Sequence, residues 1–456
     1  MMDKQEEDRQ QPGDQSAMPT KNKDQVQEQT HVSENDSDNE SDTDLETGQA
    51  TNQPKSLSQA EIYLRACSLT KTAPISAYLR LNEADLILNH YGVGPRGAKA
   101  LAIALKTDKM VTNLELKDSN IQVEGARYLR EMLKTNCTIE RINLSNNQLG
   151  LEGARVICDM LSDSIYIKSI KLSGNLFDDT AATYFADTLE YDYFLKELDL
   201  SHNKFCERGG EHLGRMLAKN EGIEVLNLSY NHLDKSSAVG LCAGLKDNFH
   251  LMQLQLSRNG FGQTEAELLS EALKQNHTLV LLDLSWNLLD DQAMVLLCPG
   301  LTTNDTLKIL KLSHNRLRNT GALTLLRAIQ KNIKSALEVI DFSNVLVHED
   351  FGELLEEVRQ THPALDIKYT MLDSVIKNLS ALQIFQKFFD EQNVSIMDFF
   401  KGLDKEGTLQ VSNSTFRKAV KEAKVPVDRR QLEWIIRKFD KDCTGTILYR
   451  SMRRLV

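Results

Sequence analysis

Nine leucines fall at an interval of 28 residues without a slip: Leu88, Leu116, Leu144, Leu172, Leu200, Leu228, Leu256, Leu284 and Leu312. A chain that copies one unit with no insertion must offer each copy the surface that the preceding copy offered, so the copies stack into an array. Three residues beyond these leucines stand Asn147, Asn175, Asn203, Asn231, Asn259, Asn287 and Asn315, with Tyr91 and Ser119 in the first two copies. Arrays of this kind bind more often than they catalyse.

One copy contains LDLSHNKF at 198 to 205, in which Leu198 and Leu200 alternate as in a short strand and Phe205 closes the turn. Apolar or small residues follow the asparagine position at offsets of seven, ten and fourteen, as in Ala98, Leu101 and Leu105, or Ala126, Leu129 and Leu133. Steps of three and four mark one face of a helix. Each unit therefore reads as strand, turn, helix and return, and the fold class is α/β. One unit cannot bury both its strand face and its helix face, so neighbours share a core and the strands form a parallel sheet. The recurrent asparagine is expected to satisfy backbone groups that neither sheet nor helix pairs. A helix is about 10 Å wide and a strand about 4.8 Å, so the stack bends into a horseshoe with a concave sheet and convex helices.

LNLSYNHL at 226 to 233, LDLSWNLL at 282 to 289 and LKLSHNRL at 310 to 317 carry a resemblance. The pattern is similar to the leucine-rich repeat of the ribonuclease-inhibitor type, a right-handed solenoid. Together with its tail, the chain resembles the leucine-rich repeat-containing protein 74 family. The likeness covers residues 85 to about 368; it is specific for fold and only weakly specific for function.

The net charge of −11 is unevenly spread. Residues 1 to 55 hold fourteen acids against five bases, and residues 369 to 456 hold eleven against sixteen. The first segment has few large apolar residues and reads as a disordered acidic tail. Within it Ser33, Ser37 and Ser41 each precede an acid by three residues, a pattern that acid-directed kinases accept. Residues 56 to 84 read as an N-terminal helical cap, opened by a capping box from Ser58 to Glu61. Residues 85 to 368 are about ten repeats with a C-terminal cap, and 379 to 456 form a further helical module. Seven cysteines without regular spacing do not read as a disulfide framework, and no apolar run matches a signal peptide or a membrane span. The expected home is cytoplasmic, without membrane or nucleic acid as partner.

GVGPRG at 92 to 97 matches GxGxxG, but Gly97 occupies the repeat position of Gly125, Gly153, Gly209 and Gly321, so the scaffold explains it. The chain has no GxxxxGK[ST], HExxH or GxSxG, and no zinc-type spacing of Cys and His. The expectation is a protein that is not an enzyme and carries no cofactor. An alternative is a GTPase activator, since the Ran GTPase-activating protein uses a similar array.

FDKDCTGTILYRSM at 439 to 452 resembles an EF-hand loop, making the tail a small all-α EF-hand-like domain. The resemblance implies Asp440 and Asp442 as metal residues, with Gly445 at the turn and Ile447 at the pairing strand. Thr444, Leu448 and Ser451 stand where three further ligands belong, and calcium takes about six to eight oxygens. The upstream partner, at 399 to 416, has Gly407 as its turn glycine with Leu409 behind it, and reads as two residues short from Asp404. A calcium-responsive adaptor is the alternative function that this tail suggests.

Binding positions in a horseshoe are those that the repeat rule leaves free. The row one before the asparagine passes through His202, Tyr230, Arg258, Trp286 and His314, and the row six before it through Leu281 and Ile309. Tyr, Trp and Arg are the residues most often found at interface hot spots. Tyr230, Arg258, Leu281, Trp286, Ile309 and His314 are accordingly the candidate site for a protein partner, with Asp199, Asn227, Gln255, Asp283 and Lys311 as a polar row between.

Overall fold

The computed structural model describes residues 57–449 apart from 77–79, 82, 234, 393, 406 and 441–443. The acidic segment 1–55 with its three serines, and the loop residues Asp442 and Ser451, lie outside the described residues. Eleven parallel strands form one sheet in chain order. Nine have three residues: β1 Asp85–Ile87, β2 Asn113–Glu115, β3 Arg141–Asn143, β4 Ser169–Lys171, β5 Glu197–Asp199, β6 Val225–Asn227, β7 Gln253–Gln255, β8 Leu281–Asp283 and β9 Ile309–Lys311. The longer β10 Val339–Val347 and β11 Asp366–Met371 follow.

Helix α1 Gln59–Thr70 precedes the sheet, and one helix follows each strand from β1 to β10. These are α2 Gly94–Leu105, α3 Gln122–Leu133, α4 Gly150–Asp163, α5 Asp179–Leu189, α6 Glu207–Lys219, α7 Lys235–Asp247, α8 Gln263–Gln275, α9 Asp291–Leu301, α10 Asn319–Lys331 and α11 Glu349–Thr361. The alternation expected from the sequence is therefore the architecture found. Register repeats the sequence period: Leu198 faces Leu226, Leu226 faces Leu254 and Leu254 faces Leu282. In β5 to β9 the central residue is buried and its two neighbours are half-buried. One apolar core runs from Tyr63 in α1 to Ile367 in β11.

The asparagine after each strand works as expected. Asn203 donates through Nδ2 to the carbonyls of Leu172 (3.2 Å), Leu200 (2.9 Å) and Ser201 (3.0 Å), and its Oδ1 accepts from the amides of Asn175 and Phe177. A second ladder, not anticipated, runs through the turn after the helices. Asn276 donates to the carbonyls of Leu245 (2.8 Å) and Asn248 (3.1 Å) and accepts from the amides of Thr278 (3.1 Å) and Leu279 (2.8 Å). Asn220, Asn248, Asn304 and Asn332 repeat this pattern. Where the repeat lengthens by two residues, His362 Nε2 takes over at the Asn332 carbonyl, 3.0 Å away.

Helices α6 and α7 meet through glycine. A Cβ on Gly214 would lie 2.1 Å from the Gly240 carbonyl oxygen, and one on Gly244 would lie 2.1 Å from that of Gly214. Only residues without a side chain permit backbones to approach this closely.

Beyond the repeats a small separate bundle has α12 Leu372–Glu391, α13 Ile396–Leu403, α14 Asn413–Glu422 and α15 Arg429–Phe439. An antiparallel ribbon of β12 Gln410–Ser412 and β13 Thr446–Leu448 joins its loops, centred on Val411 opposite Ile447. Phe385, Phe400, Phe416, Ile435 and Ile447 form its own core. No described helix is long and apolar enough to cross a membrane.

Candidate partner-binding face

The turn that carries each strand into its asparagine fixes the rim of the sheet. The residue before the asparagine is left-handed in copy after copy: φ is 53° at His202, 56° at Tyr230, 55° at Arg258, and 58° at Trp286 and His314. Equivalent backbone at each step makes the side chains parallel, and the hydrogen-bonded strands hold them about 4.8 Å apart, a distance at which flat groups stack. His202 and Tyr230 stack with ring centroids 3.8 Å apart. The Arg258 guanidinium lies 4.8 Å from the Tyr230 centroid and 3.8 Å from that of Trp286. Trp286 stacks on His314 at 3.9 Å with the planes 6° apart. Tyr230 and Trp286 nevertheless remain 40% and 46% exposed.

Arg258 Nε is shielded from solvent and has no hydrogen-bond partner among the described residues. Burial, with help from the nearby Arg258 charge and against the pull of Asp199, lowers the pKa of His202 and favours its neutral ring. Between His202, Tyr230, His232, Arg258, Asn259 and Gly260 the surface dips into an open hollow of about 430 Å³.

Four of the six residues expected at the site, Tyr230, Arg258, Trp286 and His314, thus join one column, which His202 extends by one rung. Leu281 and Ile309 do not join it. They face each other across β8 and β9, five residues upstream of the column in each repeat. The polar row lies between, with Asp283 and Lys311 paired at 3.3 Å. The candidate face is thus two strips flanking a charged seam. Sequence reasoning passed over a further exposed group, Ile165, Tyr166, Tyr191, Tyr193 and Phe194. Its signal was YDYF at 191 to 194, where other copies are more polar.

The tail departs from the sequence reading in register. Asp404 corresponds to Asp440 and Val411 to Ile447, so the first loop is not short. Its left-handed sixth residue is Leu409 (φ 61°), opposite Gly445 (φ 80°) in the second loop, while Gly407 (φ 68°) is an additional turn residue. The ribbon pairing of Val411 with Ile447, not the glycine, sets the register.

Each loop's first carboxylate is filled by donors. Asp404 accepts from the Thr408 amide and hydroxyl on one oxygen, and from the Leu409 amide (2.6 Å) and Tyr449 hydroxyl (2.9 Å) on the other. Asp440 accepts from the Thr444 amide and hydroxyl, the Gly445 amide (2.9 Å) and Asn413 Nδ2 (2.8 Å). Tyr449 and Asn413 each reach in from the opposite loop. A carboxylate has about four lone-pair sites, and these are occupied. Among the described residues no group of three His, Cys, Asp or Glu is suited to a metal; Asp442 and Ser451 of the second loop lie outside them.

Burial alone would raise the Asp404 carboxyl, but Tyr449 and the Leu409 and Thr408 amides outweigh it and hold its pKa down. Asn413, opposed by burial and joined by the Thr444 and Gly445 amides, lowers that of Asp440. A folded-state pKa below the unfolded value contributes stability above the unfolded pKa, and that contribution is lost as pH falls through the folded pKa. The module is therefore expected to loosen on acidification below the ordinary carboxylate range, about 4. Near-ultraviolet circular dichroism of the full chain tests this. An Asp404→Asn, Asp440→Asn variant that keeps the full acid response would refute it.

Burial pushes the thiols of Cys158, Cys242 and Cys298 up to about 12, which leaves them poor nucleophiles.

Models of the leucine-rich repeat match residues 135–158, 275–298 and 303–326, and a second such model matches 194–216. Human leucine-rich repeat-containing protein 74B is 39% identical over 64 residues, which is 14% of this chain and 16% of that protein. The match thus spans about a sixth of that relative's length. Among solved structures, the actin-binding site 2 of leiomodin-1 aligns over 31% of this chain and 86% of its own, with 18% identity and a TM-score of 0.28. That likeness is too low to bear on function.

Proposed function

We infer that this chain, a leucine-rich-repeat protein, is a non-enzymatic cytoplasmic scaffold that binds a protein partner across the open sheet face of its C-terminal repeats. Leucine-rich repeats are as a class interaction modules. The observation that carries the reading further is the company of side chains at the rim. A left-handed backbone costs a residue with a Cβ roughly 1–2 kcal/mol, and earlier copies place Gly174 or Asn146 there. The left-handed region favours Gly, Asn, Asp and His, so tyrosine, arginine and tryptophan in succession are not what backbone economy selects. Stacking returns part of that free energy, while the exposed edges remain available for contact.

Trp286 and Tyr230 supply apolar contact area, and Leu281 with Ile309 supply a second anchor strip. Arg258, held between Tyr230 and Trp286, brings a positive charge that a partner's carboxylate would meet. The filled carboxylates of Asp404 and Asp440 weigh against the calcium-responsive reading.

The test uses glycine, because glycine relieves the backbone instead of straining it. An Arg258→Gly, Trp286→Gly variant is expected to melt no lower than wild type, yet to lose a defined set of proteins in affinity capture from cell lysate with mass spectrometry. A Leu281→Asp, Ile309→Asp variant probes the other strip. Retention of the same proteins by both variants sinks the proposal.

A further inference from the structure

We propose that the groove between α14 and α15 of the tail module is a second docking site, for an acidic peptide segment that carries an aliphatic side chain. The groove encloses about 810 Å³. Val420 and Val425 are buried in its floor, and Val427 and Leu432 are partly buried beside them. Its rim carries Arg417, Lys421, Lys424 and Arg429 against Asp428 and Glu433.

Both acids are already engaged. Glu433 takes two bonds from Arg417, at 2.7 and 2.8 Å. Asp428 caps α15, accepting from the Gln431 amide at 2.8 Å. Lys421, Lys424 and Arg429 form no ion pair among the described residues, and with four bases against two acids the rim carries a net positive charge above an apolar floor. Lys424 is moreover left-handed, with φ 52°, in the turn where the Val425 amide bonds back to the Val420 carbonyl. Glycine is the low-energy residue at such a helix end. A lysine kept there places its ammonium group at the rim at the backbone's expense.

Charge selects an acidic occupant, and the recessed floor selects one with an apolar side chain that reaches down. A flat lipid surface would meet the cations but not the floor, which favours a peptide over an anionic membrane. This site is separate from the repeat face and does not depend on it.

The experiment is a fluorescence-anisotropy titration of the full chain against a synthetic peptide of alternating aspartate and leucine. Binding is expected to saturate, to weaken with salt, and to fall by about tenfold or more in a Lys421→Glu, Lys424→Glu variant. A charge-matched Lys387→Glu, Lys405→Glu variant, altered outside the groove, is expected to bind as wild type. Lys424→Gly relaxes the turn and removes one cation, so weaker binding by it cannot be ascribed to misfolding. Four results overturn the proposal: no binding, equal loss in the groove and control variants, equal affinity for a peptide of aspartate alone, or preference for phosphatidylserine vesicles over the peptide.

Discussion

Replacing Gly214 with valine is expected to destabilise the middle of the array by more than about 3 kcal/mol. The new Cβ would lie 2.1 Å from the Gly240 oxygen, 2.2 Å from its carbonyl carbon and 2.7 Å from the Leu241 nitrogen. All three are backbone atoms, so no rotamer change relieves the clash. Strands β5 and β6 are held together by their hydrogen bonds, and α7 must move outward instead. That movement opens the core at Leu213, Leu217, Leu241 and Leu245, all fully or almost fully buried. Chemical denaturation should show the loss, and hydrogen exchange should place the faster opening in α6 and α7. Gly352→Ala is the matched control, since its Cβ would meet only the flexible end of Met371, at 3.3 Å. An unchanged denaturation midpoint for Gly214→Val would show that the two helices do not pack as described.

Asn276→Ala is expected to be comparably severe, about 3–5 kcal/mol. Removing the carboxamide strips a donor from the buried carbonyls of Leu245 and Asn248 and an acceptor from the amides of Thr278 and Leu279. Alanine offers none of these four groups a replacement partner, and buried polar groups without partners are what proteins avoid. Because contacts in an array are between neighbours, the damage should centre on two or three repeats and spread only as they open. Amide exchange at Thr278 and Leu279 reports it directly. Protection there equal to wild type would contradict the role given to the ladder.

The fold was legible because its signal is periodic. The Leu198 position holds Leu or Ile in every copy and the Leu200 position is Leu from Leu88 to Leu312, and a strand of three residues needs little more than one buried aliphatic residue at its centre. The first asparagine ladder could be read for the same reason. The second was as regular in sequence, at Asn220, Asn248, Asn276, Asn304 and Asn332, but it falls in the return after the helix, where polar residues read as ordinary loop. The rim column was visible as a row of residue types. Its stacking was not, because parallel placement comes from the left-handed turn and not from residue identity. In the tail, Gly407 drew the register toward itself. What sets the loop is the pairing of Val411 with Ile447, a contact between segments 36 residues apart that one loop's sequence does not announce.

The left-handed rim also fixes how this protein responds to selection for robustness. At Tyr230, Arg258 and Trp286 the substitution that most relaxes the backbone is the one that erases the exposed side chain. A screen for heat-resistant variants would therefore enrich glycine along this edge and return proteins that fold better and recognise less. Stability and recognition compete here residue by residue, a direct form of the trade-off between the two.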